Sequence, residues 1–422
     1  MSALARILEE FASQPSAPAT RQAAAQALRE HSLPTRHDEN WHYANLRALE
    51  TIPVFMPQPS AGSVHSSPAL PSALPGFERL VYVDGRIHAE LSAQALAKLE
   101  RVAVGPETGA VSPFETAGDG RFGLVARMFA PDPLSLRVRG QFALEVLSVM
   151  SPSGAGSYTE LNLELEAGAR LELVERSYGP ELATPAPAPS ALACGALSLR
   201  QGAGSKLTHT RLQQAGGHAL LYDTVSSQLA ERASYELRHL AAGGANTRSS
   251  VQIQLQGQGA SADVRALSAA QDSQYCDALY TILHEAPATR SQLMFRGIAS
   301  ERSHVACSAD VQVAPGARGS RVLQSLRGLI DGKGAEVNLR PRLTINTDDI
   351  QAAHGATTGR LDEDLLFYLL SRGLAPAAAR SLLKWAFLSE ILGTVEPAPL
   401  RKAAESAVAA RLSDAPTSEL LQ

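Results

Sequence analysis

The chain has 422 residues, enough for two or three domains with a large core. Its 38 basic and 42 acidic residues give a net charge of −4 without any basic run, which argues against a nucleic-acid-binding protein.

The three cysteines of the chain, Cys194, Cys276 and Cys307, form no C-x-x-C pair. This spacing argues against a disulfide framework and against a self-contained four-cysteine metal or cluster site, and it favours small buried side chains. Without a signal-peptide or membrane-span pattern, we expect a soluble, cytoplasmic protein.

Two short helices are predicted at the N-terminal end, over residues 2–13 and 20–31, with Thr20 as a possible N-cap. The first carries an apolar stripe at helical spacing, formed by Leu4, Ile7, Leu8 and Phe11. The polar and aromatic residues 36–43 follow, and they include two histidines and two carboxylates. Metal ligation is one interpretation of this cluster, and a hydrogen-bonded junction anchored by Trp41 is the favoured one.

A linker and a hairpin come next. Residues 51–76 contain six prolines among serine, alanine and glycine, which is typical of a loop. Residues 80–87 combine two β-rich runs around Asp84-Gly85, the signature of a tight hairpin.

Residues 160–346 alternate between apolar and polar side chains in short runs, such as residues 160–165, 235–240 and 251–255. This period of two predicts strands with one buried face. Small-residue turns recur at intervals of 27 to 29 residues after a longer first interval, at Gly168, Gly204, Arg232, Gly259, Pro287 and Gly316. A regular period without helices favours a solenoid or β-helix. A closed barrel or sandwich is the alternative, and the scarcity of Asn-Gly and Asp-Gly turns disfavours it. The proline-rich residues 181–190 are predicted to leave the solenoid as a surface excursion.

Helices return at the C-terminal end. Residues 362–373 have acidic residues in the first turn, Arg372 in the last and Gly373 just beyond it. A second helix is predicted from Pro376 to about Gly393. Its apolar side chains cover more than half of its circumference, so either a partner or a third helix over residues 400–412 must cover the surplus.

Several short motifs, in this order along the chain, resemble the SufB/SufD family of SUF iron–sulfur cluster assembly scaffold proteins, with the SufD branch the closer match. They are Leu33-Pro34-Thr35-Arg36 with Glu39-Asn40-Trp41, Phe77 with Val83-Asp84-Gly85-Arg86, Pro287-Ala288-Thr289-Arg290-Ser291 with Arg296-Gly297-Ile298-Ala299, and Asp348-Asp349 with His354-Gly355-Ala356-Thr357 and Gly359-Arg360. The resemblance implies a mainly β fold with α-helical ends. Its core would be a right-handed parallel β-helix over residues 141–350, preceded by an N-terminal helical region and linker (1–76) and a connecting α/β segment (77–140), and followed by a C-terminal helical domain (351–422).

The resemblance also implies a function. Family members of the SufD type are non-enzymatic scaffolds that pair with a SufB-like paralogue and dock the SufC-type ABC ATPase, supporting iron acquisition and cluster assembly at the heterodimer interface. No cofactor would be bound stably by this chain alone, and a transient iron–sulfur cluster would be shared with the partner. The sequence lacks a phosphate-binding G-x-x-x-x-G-K-[ST] loop, so ATP chemistry would come from another subunit. A homodimer of the isolated chain is an open alternative.

His354 is the main candidate site residue. The residues around it are compatible with a histidine bonded to turn backbone after a last strand over residues 343–347, whereas the resemblance places it at the SufB-facing interface as a metal or cluster ligand. Ala352 stands where some relatives have a cysteine, so no thiolate comes from that position. His304, Cys307, Asp348 and Asp349 are weaker candidates, and turn formation suits the aspartates better. The resemblance places ATPase docking on the segment that contains Phe367, Leu382, Trp385, Phe387 and Ile391.

Two further function classes are weighed against the scaffold. A carbohydrate-active β-helix enzyme would need clustered acidic side chains on neighbouring coils, whereas the repeats carry mostly glutamine, serine, threonine and arginine. A self-assembling structural solenoid would be recognised by its behaviour alone in solution.

Overall fold

The computed structural model describes residues 2–14, 17–57, 70–102, 113–116, 119–150, 156–179, 191–217 and 219–412. In chain order, the strands of this part are β1 (Glu78–Val83), β2 (Arg86–Ile87), β3 (Glu100–Arg101), β4 (Leu134–Val138), β5 (Gln141–Val149), β6 (Ser157–Leu165), β7 (Arg170–Tyr178), β8 (Ala191–Gln201), β9 (Lys206–Gln214), β10 (Ala219–Leu229), β11 (Ser234–Ala241), β12 (Asn246–Leu255), β13 (Ser261–Ala270), β14 (Tyr275–His284), β15 (Arg290–Ser300), β16 (His304–Val313), β17 (Ser320–Asp331), β18 (Glu336–Ile345) and β19 (Ile350–Gly359). The α-helices are α1 (Ala3–Ala12), α2 (Ala19–His31), α3 (Ala89–Lys98), α4 (Pro113–Thr116), α5 (Arg121–Phe129), α6 (Glu363–Ser371), α7 (Pro376–Leu392) and α8 (Ala398–Ala409).

The strands form two long sheets between which the chain alternates. Sheet A has ten strands in the order β19-β17-β15-β13-β11-β9-β7-β5-β1-β2, and sheet B has nine in the order β18-β16-β14-β12-β10-β8-β6-β4-β3. From β4 onward each strand in one sheet is followed by a strand in the other, and its neighbours within the sheet pair in parallel. Only the β1–β2 and β3–β4 pairs are antiparallel in the described residues. The predicted parallel β-helix is confirmed, and a closed barrel is excluded.

The core lies between the two sheets, because the alternating residues of each strand point inward. It contains leucine, valine, isoleucine and tyrosine side chains from every coil, such as Leu163, Leu199, Val251 and Tyr280. The three cysteines are buried, as predicted. Burial raises the pKa of each thiol above its ordinary value, so all three stay neutral.

The recurrent turns stack on one another through their backbone. Arg232 and Ala288 occupy the left-handed region with φ of 54° and 58°, at the place in the coil where Gly204 and Gly259 stand in neighbouring turns. In each turn this residue donates its N–H to a carbonyl of the next coil, as in Arg232 to Gln258 at 2.9 Å and Ala288 to Arg318 at 2.8 Å. The period seen in the sequence is therefore a column of left-handed residues that joins successive coils.

The N-terminal helices cover the outer face of sheet B. Ile7 and Phe11 of α1 pack with Phe129 of α5 and with Tyr158 and Tyr222 of the sheet. This confirms the apolar stripe of the first helix. The prediction of Thr20 as an N-cap was wrong: α2 begins at Ala19 after Pro18, whose fixed φ suits a helix start without a side-chain cap.

Trp41 anchors the polar segment that precedes the linker. Its ring is buried, lies 5.5 Å from the Phe122 ring and carries the Arg248 guanidinium 4.2 Å above it. His37 and His42 are exposed beside it. The described residues contain no group of three or more histidine, cysteine, aspartate or glutamate side chains that could hold a metal. Asn40 of the same segment donates to the Asp119 carboxylate at 3.0 Å, so the segment is hydrogen-bonded to the chain around it, as the favoured interpretation predicted.

The C-terminal helices cover part of the outer face of sheet A. Leu388, Ile391 and Leu392 of α7 pack with Leu400 of α8 and with the outward side chains of the sheet, including Ile298. The surplus apolar surface of the second predicted helix is thus covered by the solenoid together with the third helix. None of the helices in the described part of the chain combines the length and apolar character needed to cross a membrane.

Strand boundaries differ from the predicted ones at both ends of the solenoid. Parallel pairing begins with β1, ahead of residue 141, and continues through β19 to Gly359, beyond residue 350. The predicted hairpin at Asp84-Gly85 is confirmed, with both residues at positive φ. The predicted excursion over residues 181–190 lies outside the described residues, as do residues 58–69 of the predicted linker.

Candidate partner interface at the last coil

The last coil leaves two strand edges open. Strands β18 and β19 stand at one end of sheets B and A, and within the described residues each pairs with a strand on one side only. In β19 every residue after Ile350 is exposed, whereas the strand two positions earlier in the same sheet, β15, is largely buried. Unpaired backbone groups on two adjacent edges are the usual template for adding strands of another chain.

His354 lies in the middle of β19. It was predicted to follow the last strand, and this was wrong, because residues 350–359 pair with β17 over their whole length. In the register, His354 stands opposite Gln324 of β17, in the row that also contains Leu293, Val264, Leu237 and the buried His209. In earlier coils this row faces the space between the sheets. His354 therefore occupies a lumen position that no further coil covers in the described chain.

The weaker candidates are not brought together around His354. His304 belongs to sheet B, where it stacks on Tyr275 with ring centroids 4.3 Å apart and lies 3.2 Å from Glu336. Cys307 is buried in the core. Asp348 and Asp349 form the turn between β18 and β19, and the carbonyl of Asp349 accepts the N–H of Gly319 at 2.8 Å. His354 supplies one nitrogen donor, and the described residues contain no group of three or more histidine, cysteine, aspartate or glutamate side chains that could hold a metal.

An N-terminal segment braces the open edge of sheet B. Arg342 of β18 bridges the carboxylates of Glu39, at 2.7 Å, and Asp310, at 3.0 Å. Arg340 donates to the Glu39 carbonyl at 2.8 Å and to the side chain of Asn40. Sequence reasoning missed this contact, since the partners lie about three hundred residues apart and no local pattern links them.

Helix α6 follows β19 directly and carries the most exposed apolar side chains. Its start is capped by Asp362, whose carboxylate accepts the backbone N–H groups of Asp364 and Leu365 at 3.0 Å, and acidic residues occupy its first turn as predicted. No residue of this helix is buried, and Phe367 is 73% exposed. Leu365 and Tyr368 are each 52% exposed. These side chains form an apolar surface without a covering element in the described chain.

Helix α7, in contrast, is clamped to the solenoid. The buried Lys384 and the partly exposed Arg380 both pair with Asp331 at the end of β17, and the buried Arg296 of β15 pairs with Glu390 at 2.7 Å. Among the predicted docking residues on this helix, Leu382, Trp385 and Phe387 are half-buried. Ile391 is fully buried, so its side chain packs the helix onto the solenoid and offers nothing to a partner in this arrangement. Of the predicted set, Phe367 alone is strongly exposed.

Comparison with known proteins adds the family. The family model described as "SUF system FeS cluster assembly, SufBD core domain" matches residues 148–387, more than half of the chain. The chain belongs to the SufBD family. The matched SufBD core runs from the end of β5 into α7, so it includes the last coil, His354 and the exposed helix α6.

Two curated relatives match this chain over nearly its full length, and a third matches a shorter part. A SufBD family protein of Synechocystis is 27% identical over 417 residues, which cover 93% of this chain and 90% of the relative. The SufD protein of Escherichia coli is 26% identical over 405 residues, covering 94% and 93%. A Mycobacterium leprae member is 32% identical over 176 residues, covering 39% of this chain and 45% of the relative. The predicted membership in the SUF iron–sulfur cluster assembly family is confirmed.

Proposed function

We propose that this chain is the SufD-like half of a heterodimeric scaffold on which iron–sulfur clusters are assembled. Its last coil pairs with a SufB-like paralogue, its C-terminal helices dock a SufC-type ABC ATPase, and the chain itself catalyses no reaction. Two features carry the proposal. Strands β18 and β19 have open edges, and His354 on β19 occupies the row that faces the space between the two sheets.

Pairing through the last coil agrees with the chemistry of these edges. A partner with a similar two-sheet end can continue both sheets at once, which satisfies backbone groups that otherwise bond to water. The side chains of β19 include alanine, glycine and threonine, so close approach of another backbone meets little steric resistance. A second copy of this chain has the same two edges, and that homodimer is the competing outcome.

His354 is then an interface residue facing the assembling cluster. A neutral imidazole binds iron and moves protons near neutral pH. Because Ala352 and Ala353 precede it and the three cysteines of this chain are buried, the thiolate ligands of the cluster come from the partner. In this arrangement the cluster is a product passed on by the complex, and this chain contributes one nitrogen donor to its formation.

The ATPase docks on α6 through the exposed Phe367, Leu365 and Tyr368. Three residues, 360–362, separate α6 from β19, and α7 is tied to the end of β17 through Asp331. Motion of a docked ATPase is thereby transmitted to the two last strands of sheet A. This direct link supports coupling between nucleotide-driven movement and the partner edge.

The test is co-expression with the SufB-like and SufC-like proteins of the same organism, with one affinity tag on this chain. We expect both proteins to co-purify, and Ala356→Lys on β19 to remove the SufB-like protein while leaving the ATPase bound. Thr208→Lys, exposed on the interior strand β9 of the same sheet, is the matched control and should leave both bound. Co-purification unchanged by Ala356→Lys would overturn pairing through the last coil.

A further inference from the structure

A groove crosses the outer face of sheet A where five strands begin. It has a volume of about 560 Å³ and runs over the first residues of β11, β13, β15, β17 and β19. Because outward side chains alternate, its floor has two rows. The first row is Ser234, Ser261, Arg290, Arg321 and Gln351, and the second is Glu236, Asp263, Gln292, Leu323 and Ala353.

The acidic side chains of the groove have ion-pair partners, whereas two of its arginines have none within the described residues. At one end, Asp263 lies 3.4 Å from Arg238 and 3.2 Å from Arg265, and Glu236 lies 3.1 Å from Arg238. At the other end, Arg290 and Arg321 are direct register partners on neighbouring strands and both are exposed. Within the described residues neither guanidinium lies within ion-pair distance of a carboxylate. Adjacent like charges in a ladder destabilise it slightly, and an added carboxylate would reverse that effect.

An apolar side chain stands beside this arginine pair. Leu323, next to Arg321 in the outward order of β17, is 45% exposed, and it is flanked in register by Gln292 and Ala353. The groove thus presents two cations, an apolar contact and amide groups within a few residues of one another.

We propose that this groove binds an extended acidic segment of a partner polypeptide, with a carboxylate on Arg290 and Arg321 and an apolar side chain on Leu323. Recognition by paired arginines is a recurrent way to read acidic motifs. A polyanion such as nucleic acid fits less well, because Glu236 and Asp263 lie in the same groove and would repel its phosphates. Strands β15 and β17 already have neighbours on both sides, so the segment is held by side chains and this binding is independent of strand pairing at the last coil.

The segment can be found by placing the photo-crosslinking residue benzoylphenylalanine at position 323 of the full chain in its native cells. Mass spectrometry then locates the crosslinked peptide. We expect one partner segment containing aspartate or glutamate, and crosslinking at least tenfold weaker in Arg290→Glu/Arg321→Glu. The matched control is Arg170→Glu/Lys206→Glu, which reverses the equivalent register pair on β7 and β9 outside the groove and should leave the crosslink unchanged.

A synthetic peptide of the crosslinked sequence then provides a binding measurement. Fluorescence anisotropy should show binding that weakens with added salt and is lost when its acidic residues become asparagine or glutamine. If the glutamate variant unfolds, Arg290→Gln/Arg321→Gln replaces it and should also weaken binding. The proposal is overturned by a nuclease-sensitive crosslink, by a crosslink between two copies of this chain, by a segment without carboxylates, or by no crosslink at all.

Discussion

His354 of β19 stands opposite Gln324 of β17, whose amide nitrogen donates to the carbonyl oxygens of Ala309 at 3.3 Å and Arg342 at 3.4 Å. Gln324 therefore ties sheet A to β16 and β18 of sheet B directly below the open end. His354 therefore lies on the strand next to a residue that joins the two sheets by hydrogen bonds. A backbone fixed in this way would hold His354 in place while a partner approaches, as the proposed role of a shared ligand requires.

Replacing His354 by alanine should leave the three-protein complex assembled and lower the amount of cluster that it forms. The side chain is exposed in β19, so its loss should change the free energy of unfolding of this chain by less than about 0.5 kcal/mol. Iron and sulfide content and visible absorbance of the reconstituted complex measure the effect. Thr358→Ala, at an exposed position on the same face of the same strand, is the control. Equal cluster yields in both variants would remove His354 from the chemical site.

Replacing Phe367 by serine should weaken ATPase binding without destabilising the chain, because this side chain is 73% exposed. Ile391→Ala should behave differently and destabilise by about 2–5 kcal/mol, since a fully buried side chain leaves a cavity. Pull-down of the ATPase and thermal unfolding separate the two effects. ATPase binding that survives Phe367→Ser would move the docking surface away from α6.

Arg248 should be essential to the packing of the N-terminal segment. It is buried with Asp277 on one side and the Trp41 ring on the other. Burial raises the pKa of Asp277, and the charge of Arg248 opposes that rise. Arg248→Ala leaves a buried carboxylate unpaired and should cost about 3–5 kcal/mol. Arg248→Met/Asp277→Leu removes both charges and should recover most of that loss in denaturant unfolding, whereas a double variant as unstable as Arg248→Ala would contradict the pairing.

Gly257 should not tolerate alanine. A Cβ at this position would lie 2.0 Å from the backbone nitrogen of Glu231 in the preceding coil, and backbone cannot yield as a side chain does. We expect Gly257→Ala to destabilise by about 3 kcal/mol or more, and Gly140→Ala by about 1 kcal/mol. Gly140 has φ of 64° with no atom within 4 Å of the added carbon, so only backbone strain applies there. Chemical denaturation of both variants measures the difference, and equal losses would contradict close stacking.

Acid should unfold the solenoid in part through buried histidines. His284 bonds to Thr289 and Ser291, each at 2.8 Å, and burial lowers its pKa to about 4. Between pH 6.5 and 4 the unfolded chain binds a proton that the folded chain excludes, so stability falls as pH falls through this window. The contribution of this one group is about 3 kcal/mol between pH 7 and pH 4.

Replacing His284 by glutamine should therefore flatten the pH dependence of unfolding between pH 6.5 and 4, whatever it does to stability at pH 7. His37→Gln, at an exposed position, is the control and should leave the slope unchanged. An unchanged slope in the His284 variant would show that the folded chain accepts the proton there.

The sequence predicted those elements whose structure is determined by residues close together in the chain. The alternating strands, the Asp84-Gly85 hairpin and the capped helix α6 each follow from a few adjacent residues. Strand β19 escaped prediction because residues 350–359 are mostly small and show no apolar alternation, and they become a strand only because β17 offers its edge. A strand that forms only because an adjacent strand pairs with it need not show alternating apolar and polar residues in its sequence.

In the candidate site, too, the sequence showed the motif but not the contacts with distant elements. His354 was found through its motif, yet its lumen position depends on a register with Gln324 that the sequence does not display. The exposure of Phe367 and the burial of Ile391 could not be separated, since both are apolar residues on amphipathic helices and only docking on sheet A distinguishes them. The position of Lys384 also depends on this docking: a lysine on a helix normally faces solvent, whereas this one is buried against Asp331.

The contacts of Glu39 also bear on how the molecule is made. Its partners Arg340 and Arg342 follow 301 and 303 residues later in the chain. At a synthesis rate of about 5–20 residues per second, Glu39 leaves the ribosome roughly 15–60 seconds before the arginines that bind it. During that interval the N-terminal helices can fold onto the first coils, but the brace on β18 cannot close. The open edge of sheet B is therefore completed only after the strands up to β18 have been synthesised, so the proposed pairing would be delayed until almost the whole coil stack exists.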